Sequence, residues 1–420
     1  MKRWGISLLA AVSMLVSGGI ADRANALEVA MADVQAPSVL LDGYPLATSP
    51  KPINVDGTVM VPFRPIGEAL GIEMEWVQAT STVIANDGKQ ELRMQIGNRT
   101  AWVGGKPVQL REAPMLKEGR TLIPLRFFSE SVGAEVDWIQ ATQTATIESQ
   151  ESDLHAMVFY GLGSYGQKGY LPYFDEASFT WSRLDPNGVL TTDQSEYAWP
   201  VQGAEELLTE VKGAGVDTSL MVFSVDEHGE LTKLLRDVSL QEKFAYDLVE
   251  LLERRGIGGA YLDFETLAPT GAGNIQEVRA QYAALVKRVA DVLHSRGKKL
   301  TVVMAPLQNG WYRGYDYQEI AKHADHLFLM AYSYVDDRLP QPMSRIDEDI
   351  RAALQVVEPK KLILGINAYS ETPAGVQEKI GLAKRYNLHG VGFWILRVFD
   401  DRLMEGIDKQ LLLRPERNLK

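Results

Sequence analysis

The chain has 420 residues, of which 45% are apolar, and a formal charge of −12. That length supports two or three domains with their own cores, while the negative charge argues against nucleic acid as a partner and gives no long-range attraction to an anionic wall polymer. The absence of cysteine excludes disulfides and thiolate chemistry, and His155, His228, His294, His323, His326 and His389 show neither H-x-x-x-H nor H-x-H spacing, so neither a metal site nor an organic cofactor is expected.

The N-terminus reads Met1-Lys2-Arg3, then an apolar run through Leu8, Leu9, Val12, Leu15 and Val16, then Ala24-Asn25-Ala26. A basic start, a short apolar core and small residues at a cleavage point make 1–26 a secretory signal peptide. A lasting membrane anchor is the alternative, and the shortness of the apolar core argues against it.

Residues 37–149 repeat themselves. Val61-Pro62-Phe63-Arg64 recurs as Ile123-Pro124-Leu125-Arg126, and Glu68, Gly71, Glu73 and Trp76 recur as Glu130, Gly133, Glu135 and Trp138, always 62 residues on. Each unit predicts a short strand, a helix near 64–70 or 126–132, and a hairpin whose first strand carries the Trp. Between the units, 91–96 and 100–103 alternate as strands, and Asp42-Gly43, Asp56-Gly57 and Gly104-Gly105 mark turns. This pattern over 38–149 resembles the small module named after the N-terminal domain of copper amine oxidases, common in secreted proteins of Gram-positive, often spore-forming, bacteria. The resemblance implies a stalk or wall-targeting role and no copper, since no ligand cluster is present. Trp76, Trp102 and Trp138 suit either a sugar platform or a small core.

Glu148 to Asp153 is polar and aperiodic, a linker. Beyond it, over 152–420, short apolar runs alternate with helical stretches. Strands are expected at 155–160, 179–182, 219–224, 260–265, 299–305, 326–332, 361–366 and 390–395; helices at 203–212, 240–254, 276–295, 317–324, 346–357 and 373–386; and then a tail. Eight strands of the doubly buried, parallel type spaced by helices predict an α/β fold, a (β/α)8 TIM barrel preceded by a small α+β repeat domain. An open doubly wound sheet is the other topology compatible with the alternation, but no G-x-G-x-x-G or phosphate loop accompanies it.

One stretch carries the chemistry: Gly256-Ile257-Gly258-Gly259-Ala260-Tyr261-Leu262-Asp263-Phe264-Glu265. In a strand, residues two apart share a face, so Asp263 and Glu265 point one way while Leu262 and Phe264 point the other. Two carboxylates ending an otherwise buried strand are costly unless paired or used, and in a β/α barrel that end opens into the active site. The Gly-rich turn, apolar strand and D-x-E resemble the signature of glycoside hydrolase family 18. On that resemblance Glu265 matches the catalytic acid and Asp263 the last signature Asp. The first signature acid is replaced by Gly258, and the middle one by Tyr261.

Other strand ends carry aromatic and polar side chains: Met330-Ala331-Tyr332-Ser333-Tyr334, Asn367-Ala368-Tyr369 and Phe393-Trp394. Aromatic faces stack on the C–H faces of a sugar while polar groups meet its hydroxyls. The resemblance implies that Tyr332 holds the substrate acetamido group, that Trp394 floors the −1 subsite, and that Met330, Tyr369, Tyr261, Gln308 and Tyr160 contact substrate. It is nearest to the spore-cortex and cell-wall N-acetylglucosaminidases. It implies a secreted, retaining, substrate-assisted enzyme acting without cofactor on β-1,4 links beside N-acetylglucosamine in peptidoglycan or chitin, placed in the wall or spore envelope. The alternative is a non-catalytic glycan-binding wall protein on a degenerate barrel, a reading favoured by the losses at Gly258 and Tyr261.

Overall fold

A computed structural model describes residues 36–192, 203–269, 271–308, 310–332 and 339–414. The expected signal peptide, together with Ser333 and Tyr334, lies outside these residues. No helix among them is long and apolar enough to cross a membrane.

The strands of the second domain are His155–Tyr160 (β1), Glu176–Leu184 (β2), Asp217–Ser224 (β3), Gly259–Phe264 (β4), Lys299–Met304 (β5), His326–Leu329 (β6), Leu362–Asn367 (β7) and Gly390–Trp394 (β8). Each pairs in parallel with its neighbour, and β8 and β2 both pair with β1, which closes the barrel. Ala204–Gly213 (α1), Glu230–Arg236 (α2), Val238–Arg255 (α3), Ile275–His294 (α4), Tyr317–Ile320 (α5), Met343–Ala353 (α6), Pro373–Arg385 (α7) and Asp401–Asp408 (α8) accompany the strands. The sequence does not announce α2, and α8 replaces the expected tail. Asp400 caps α8 by accepting from the Leu403 amide (2.9 Å), and Leu403, Met404 and Ile407 bury its inner face.

Strand alternation sorts the side chains into two layers. Ala260, Leu262 and Phe264 of β4 pack outward beneath the helices, while Met157, Phe159, Met221, Tyr261, Val303, Phe328 and Ile363 fill the interior. Phe328 is central to that packing. Its ring meets Phe159 edge-on at 5.2 Å, and a Cβ on Gly365 or Gly392 would come within 2.6 or 2.4 Å of it. Glycine on β7 and β8 therefore makes room for one large ring on β6; truncating such a ring to Ala costs roughly 3–5 kcal/mol.

The N-terminal end of the barrel is polar. The His155, His389 and His326 rings form a stack, with centroids 5.0 and 3.8 Å apart. Glu176 takes a bond from the Tyr261 hydroxyl (3.1 Å), and its Oε2 lies 3.2 Å from His155 Nε2.

In the first domain, Thr58–Pro62 and Arg120–Pro124 pair antiparallel with Val61 directly opposite Ile123. These two residues are repeat equivalents, so a local two-fold axis runs between them. The two hairpins expected to carry the Trp residues form at Glu73–Asn86 and Glu135–Glu148. The 148–153 stretch is not a loose tether. Ser149 bonds to Asp42 through its amide (2.8 Å) and hydroxyl, and Ser152 bridges to Leu411. Arg385 of α7 donates to the carbonyls of Leu41, Tyr44 and Pro45, each at 3.1 Å. The module is thus fastened to the barrel wall.

The histidine stack predicts an acid response. Burial, with the neighbouring His155, pushes His326 down to about 4; burial, with His326 and His155, pushes His389 down to about 3. Glu176, Asp325 and Lys299 also face His326, and Glu176 and Lys360 face His389. An unfolded imidazole titrates near ~6.5. The stability held by neutral rings is therefore complete above that pH and is lost as pH falls towards the folded values. Melting midpoints at pH 7.5 and 4.5 check this: the drop in wild type should exceed that in His326→Gln. Equal drops would show that the stack does not set the acid response.

Candidate active site

The site lies at the C-terminal ends of the barrel strands, built around the end of β4. Asp263 is 5% exposed and shares the interior face of β4 with Tyr261. Glu265 follows the strand, half-buried, with its amide donating to the Ser224 carbonyl of β3 (2.9 Å). That bond extends the ladder past the last strand residue and fixes Glu265 on the side of Asp263.

Burial dominates the electrostatics. It pushes the Asp263 carboxyl well above its ordinary value, and the Glu265 charge pushes it further. Burial likewise raises Glu265. Asp263 Oδ1 has no hydrogen-bond partner among the described residues. Burial thus favours the neutral form of both carboxyls, and at Asp263 the neighbouring Glu265 charge acts in the same direction.

Phe223, Met330, Tyr332 and Trp394 are partly buried against the interior cluster. Trp394 stands edge-on to Phe159, with centroids 5.3 Å apart. Met330 continues β6 through its amide bond to the Met304 carbonyl (3.0 Å). These four side chains belong to the same barrel interior as the carboxylates. Tyr369, 44% exposed, sits outside that cluster on the loop after β7, its amide bonded to Asn367 Oδ1 (3.2 Å). Gln308 is exposed after β5, its carbonyl accepting from Arg313 (3.2 Å).

Two expected contacts need correction. Tyr261 is 1% exposed, and its hydroxyl is committed to Glu176 towards the N-terminal end, so it does not face a ligand at the mouth. Although burial works to raise Glu176, the bond and charge of His155 and the bond from Tyr261 hold its carboxyl below the ordinary value. The carboxyl absent from the middle signature position thus has a counterpart on β2, across β3 from β4 and deeper in the barrel. Tyr160 belongs to the layer between strands and helices, packed on Phe179 and Trp181 at 5.4 and 5.7 Å. Because β1 points Met157 and Phe159 inward, Tyr160 points outward.

Two further candidates went unread in the sequence. The guanidinium of Arg397 lies 5.1 Å above the Tyr369 ring and bonds its hydroxyl, fixing that exposed aromatic. Trp311, 74% exposed, follows β5 in the same loop as Gln308. Its signal was an aromatic within a Gly- and Asn-containing loop at a strand's C-terminal end.

The model of the copper amine oxidase N-terminal domain matches residues 40–147, and that of glycosyl hydrolases family 18 matches residues 177–394, just over half of the chain. YdhD of Bacillus subtilis (strain 168), named as a sporulation-specific glycosylase, is 23% identical over 282 residues, 62% of this chain and 63% of that protein. The chain thus spans less than two thirds of that relative's length, and about a third of that of a cortical fragment-lytic enzyme of Bacillus anthracis. Among solved structures, the Bacillus cereus spore cortex-lytic enzyme SleL superposes with a TM-score of 0.54 at 14% identity, over 64% of this chain and 77% of that one. A chitinase from Chromobacterium violaceum does so with 0.54 at 17% identity, over 62% of this chain and 100% of that one. These low-identity superpositions show a shared barrel, and the family match assigns it: the chain belongs to glycosyl hydrolases family 18.

Proposed function

We propose that this chain hydrolyses β-1,4 links beside N-acetylglucosamine in peptidoglycan, or in chitin, with retention at the anomeric carbon. One observation carries the reading: Asp263 and Glu265, both raised by burial, share one side of the C-terminal end of β4. Trp394 and Tyr332 stand in the same barrel interior.

Glycoside cleavage needs a proton for the leaving oxygen and support for an oxocarbenium-like centre. Glu265 in its protonated form delivers that proton. The C1–O bond breaks, its electron pair goes to the leaving oxygen, and the acetamido oxygen of the same sugar forms a bond to C1. The cyclic oxazolinium so formed carries its N–H against the Asp263 carboxylate. Water then adds to C1, giving its proton to Glu265, and the ring oxygen–C1 bond opens to restore the acetamido group. Two displacements at C1 leave its configuration unchanged. Tyr332 holds the acetamido group and Trp394 offers a flat apolar face to the sugar. The names of YdhD and SleL support a wall or spore-envelope location.

A non-catalytic glycan-binding reading draws on Gly258 and Tyr261, where the family signature has acids. The retained Glu265, raised by burial, favours hydrolysis, since glycoside cleavage requires a proton donor at the leaving oxygen.

Three outcomes follow. Glu265→Gln keeps the shape but cannot deliver a proton, so release of new reducing ends from N-acetylglucosamine oligomers should fall by at least about 10²–10⁴-fold while calorimetry still detects binding. Undiminished turnover in the folded variant would remove Glu265 as the acid. In wild type, kcat/KM should decline on the alkaline side through an apparent pKa above the ordinary carboxylate range, because burial raises Glu265; a decline centred at or below about 4.3 would contradict this. Trp394→Phe keeps an aromatic wall against Phe159 but shortens the platform. It should lower kcat/KM about tenfold, equivalent to ~1.4 kcal/mol; an unchanged value would make Trp394 a packing residue.

A further inference from the structure

The copper amine oxidase-like module contains two grooves that a plain stalk would not require. One, of about 550 Å³, is lined by Arg64, Glu68, Trp76 and Gln78 of the first repeat and by Gly119 to Thr121 of the second. The other, of about 330 Å³, is lined by Arg126, Glu130 and Trp138 of the second repeat and by Gly57 to Val59 of the first. Arg64, Glu68 and Trp76 of the first groove recur 62 residues on as Arg126, Glu130 and Trp138 of the second, and positions 57–59 of the second groove correspond by the same offset to 119–121 of the first. The grooves are related by the local two-fold axis between Val61 and Ile123, and each is completed by the opposite repeat.

Core packing explains only part of what is repeated. Val61/Ile123 and Ile66/Phe128 are buried and hold the fold. Arg64/Arg126 and Glu68/Glu130 are exposed, yet they line the two grooves, and the exposed Gln78/Gln140 recurs beside the Trp rings. The two Trp rings are also held alike: Trp76 Nε1 donates to Gln78 Oε1 (2.7 Å) and Trp138 Nε1 to Gln140 Oε1 (2.8 Å). An indole clamped by its N–H presents a fixed face at little entropic cost on binding. Beside it stand an arginine and a carboxylate, paired at 3.0 Å in the second groove. An aromatic face with adjacent donors and acceptors of nearly zero net charge fits a neutral polyhydroxylated ring. Both volumes fall in the range of small-ligand sites, roughly 300–1,000 Å³. Two equivalent grooves fit a ligand that repeats. Trp102 lines neither groove.

We infer that the two grooves are paired subsites for a strand of β-linked 2-acetamido glycan, gripped apart from the catalytic cleft. The choice of glycan rests on the proposed hydrolase reading; the pairing of the sites does not. Because Arg385 fastens the module to α7, strand captured in the grooves stays close to the barrel.

The test uses the full chain carrying Glu265→Gln, to stop turnover, and depletion isotherms on purified peptidoglycan sacculi, on chitin and on cellulose. Arg64→Ala and Arg126→Ala change exposed side chains, and Trp76→Ala and Trp138→Ala remove the platforms. Each single change should weaken binding to sacculi or chitin about 3–10-fold, and Trp76→Ala with Trp138→Ala by more than about 30-fold, as loss of both arms of a bivalent grip demands. Cellulose, which lacks acetamido groups, should be retained weakly. Retention on sacculi and chitin that is undiminished in the double tryptophan variant and in the double arginine variant, both with wild-type near-ultraviolet circular dichroism, would overturn the inference. So would equal retention on cellulose. Wild-type chain that binds through the grooves but releases no reducing ends would refute the hydrolase reading alone. Cleavage with groove-independent retention would refute the paired subsites alone.

Discussion

The architecture depends on the burial of two carboxyl groups at one strand end. Asp263 and Glu265 lie where water is scarce, with burial raising both. Leaving a carboxylate uncompensated in such a place is among the more destabilising things a fold can do. The surrounding barrel tolerates it because its interior is otherwise apolar and tightly filled, with Phe159, Phe328, Met221 and Val303 beneath the pair. The same apolar filling that makes ionisation costly raises both carboxyls above their ordinary values, the direction the proposed acid role of Glu265 requires.

The opposite end of the barrel treats charge differently. The Glu176 carboxyl is held below its ordinary value by His155 and Tyr261, while burial and the neighbouring rings push His326 and His389 down. Tyr261 lies between the two regimes: its strand position is shared with Asp263, but its hydroxyl belongs to Glu176. A tyrosine in place of a signature acid therefore moves negative charge away from the mouth. Asp263 is left with Glu265 as its charged neighbour, which adds to burial in raising its carboxyl.

Much of this was legible in the residues. The apolar runs gave the eight strands and their parallel closure, because a strand covered on both faces is apolar throughout. Period-two alternation put Leu262 and Phe264 on the outward face of β4, as found. The 62-residue repeat located both helices and both Trp hairpins of the module. Tyr160 was misread for want of register: the inward positions of β1 are Met157 and Phe159, and parity alone then turns Tyr160 outward. Tyr261 reaches Glu176 on β2, across the intervening β3, and sequence spacing along one strand does not show such a contact. Arg397 and Trp311 sit in loops whose placement is set by tertiary packing. The polar stretch after 148 read as a linker because its hydrogen bonds, with Asp42, Gln410 and Leu412, come from segments far away in sequence.

The stereochemistry of the first product tests the central claim most directly. Proton NMR of a soluble N-acetylglucosamine oligomer, recorded in the first moments of cleavage before mutarotation, reports the anomer released. A participating acetamido group and two displacements at C1 predict the β anomer. Release of the α anomer, or no cleavage of either peptidoglycan or chitin oligomers by the wild-type chain, would contradict the assignment of Asp263 and Glu265 to substrate-assisted hydrolysis.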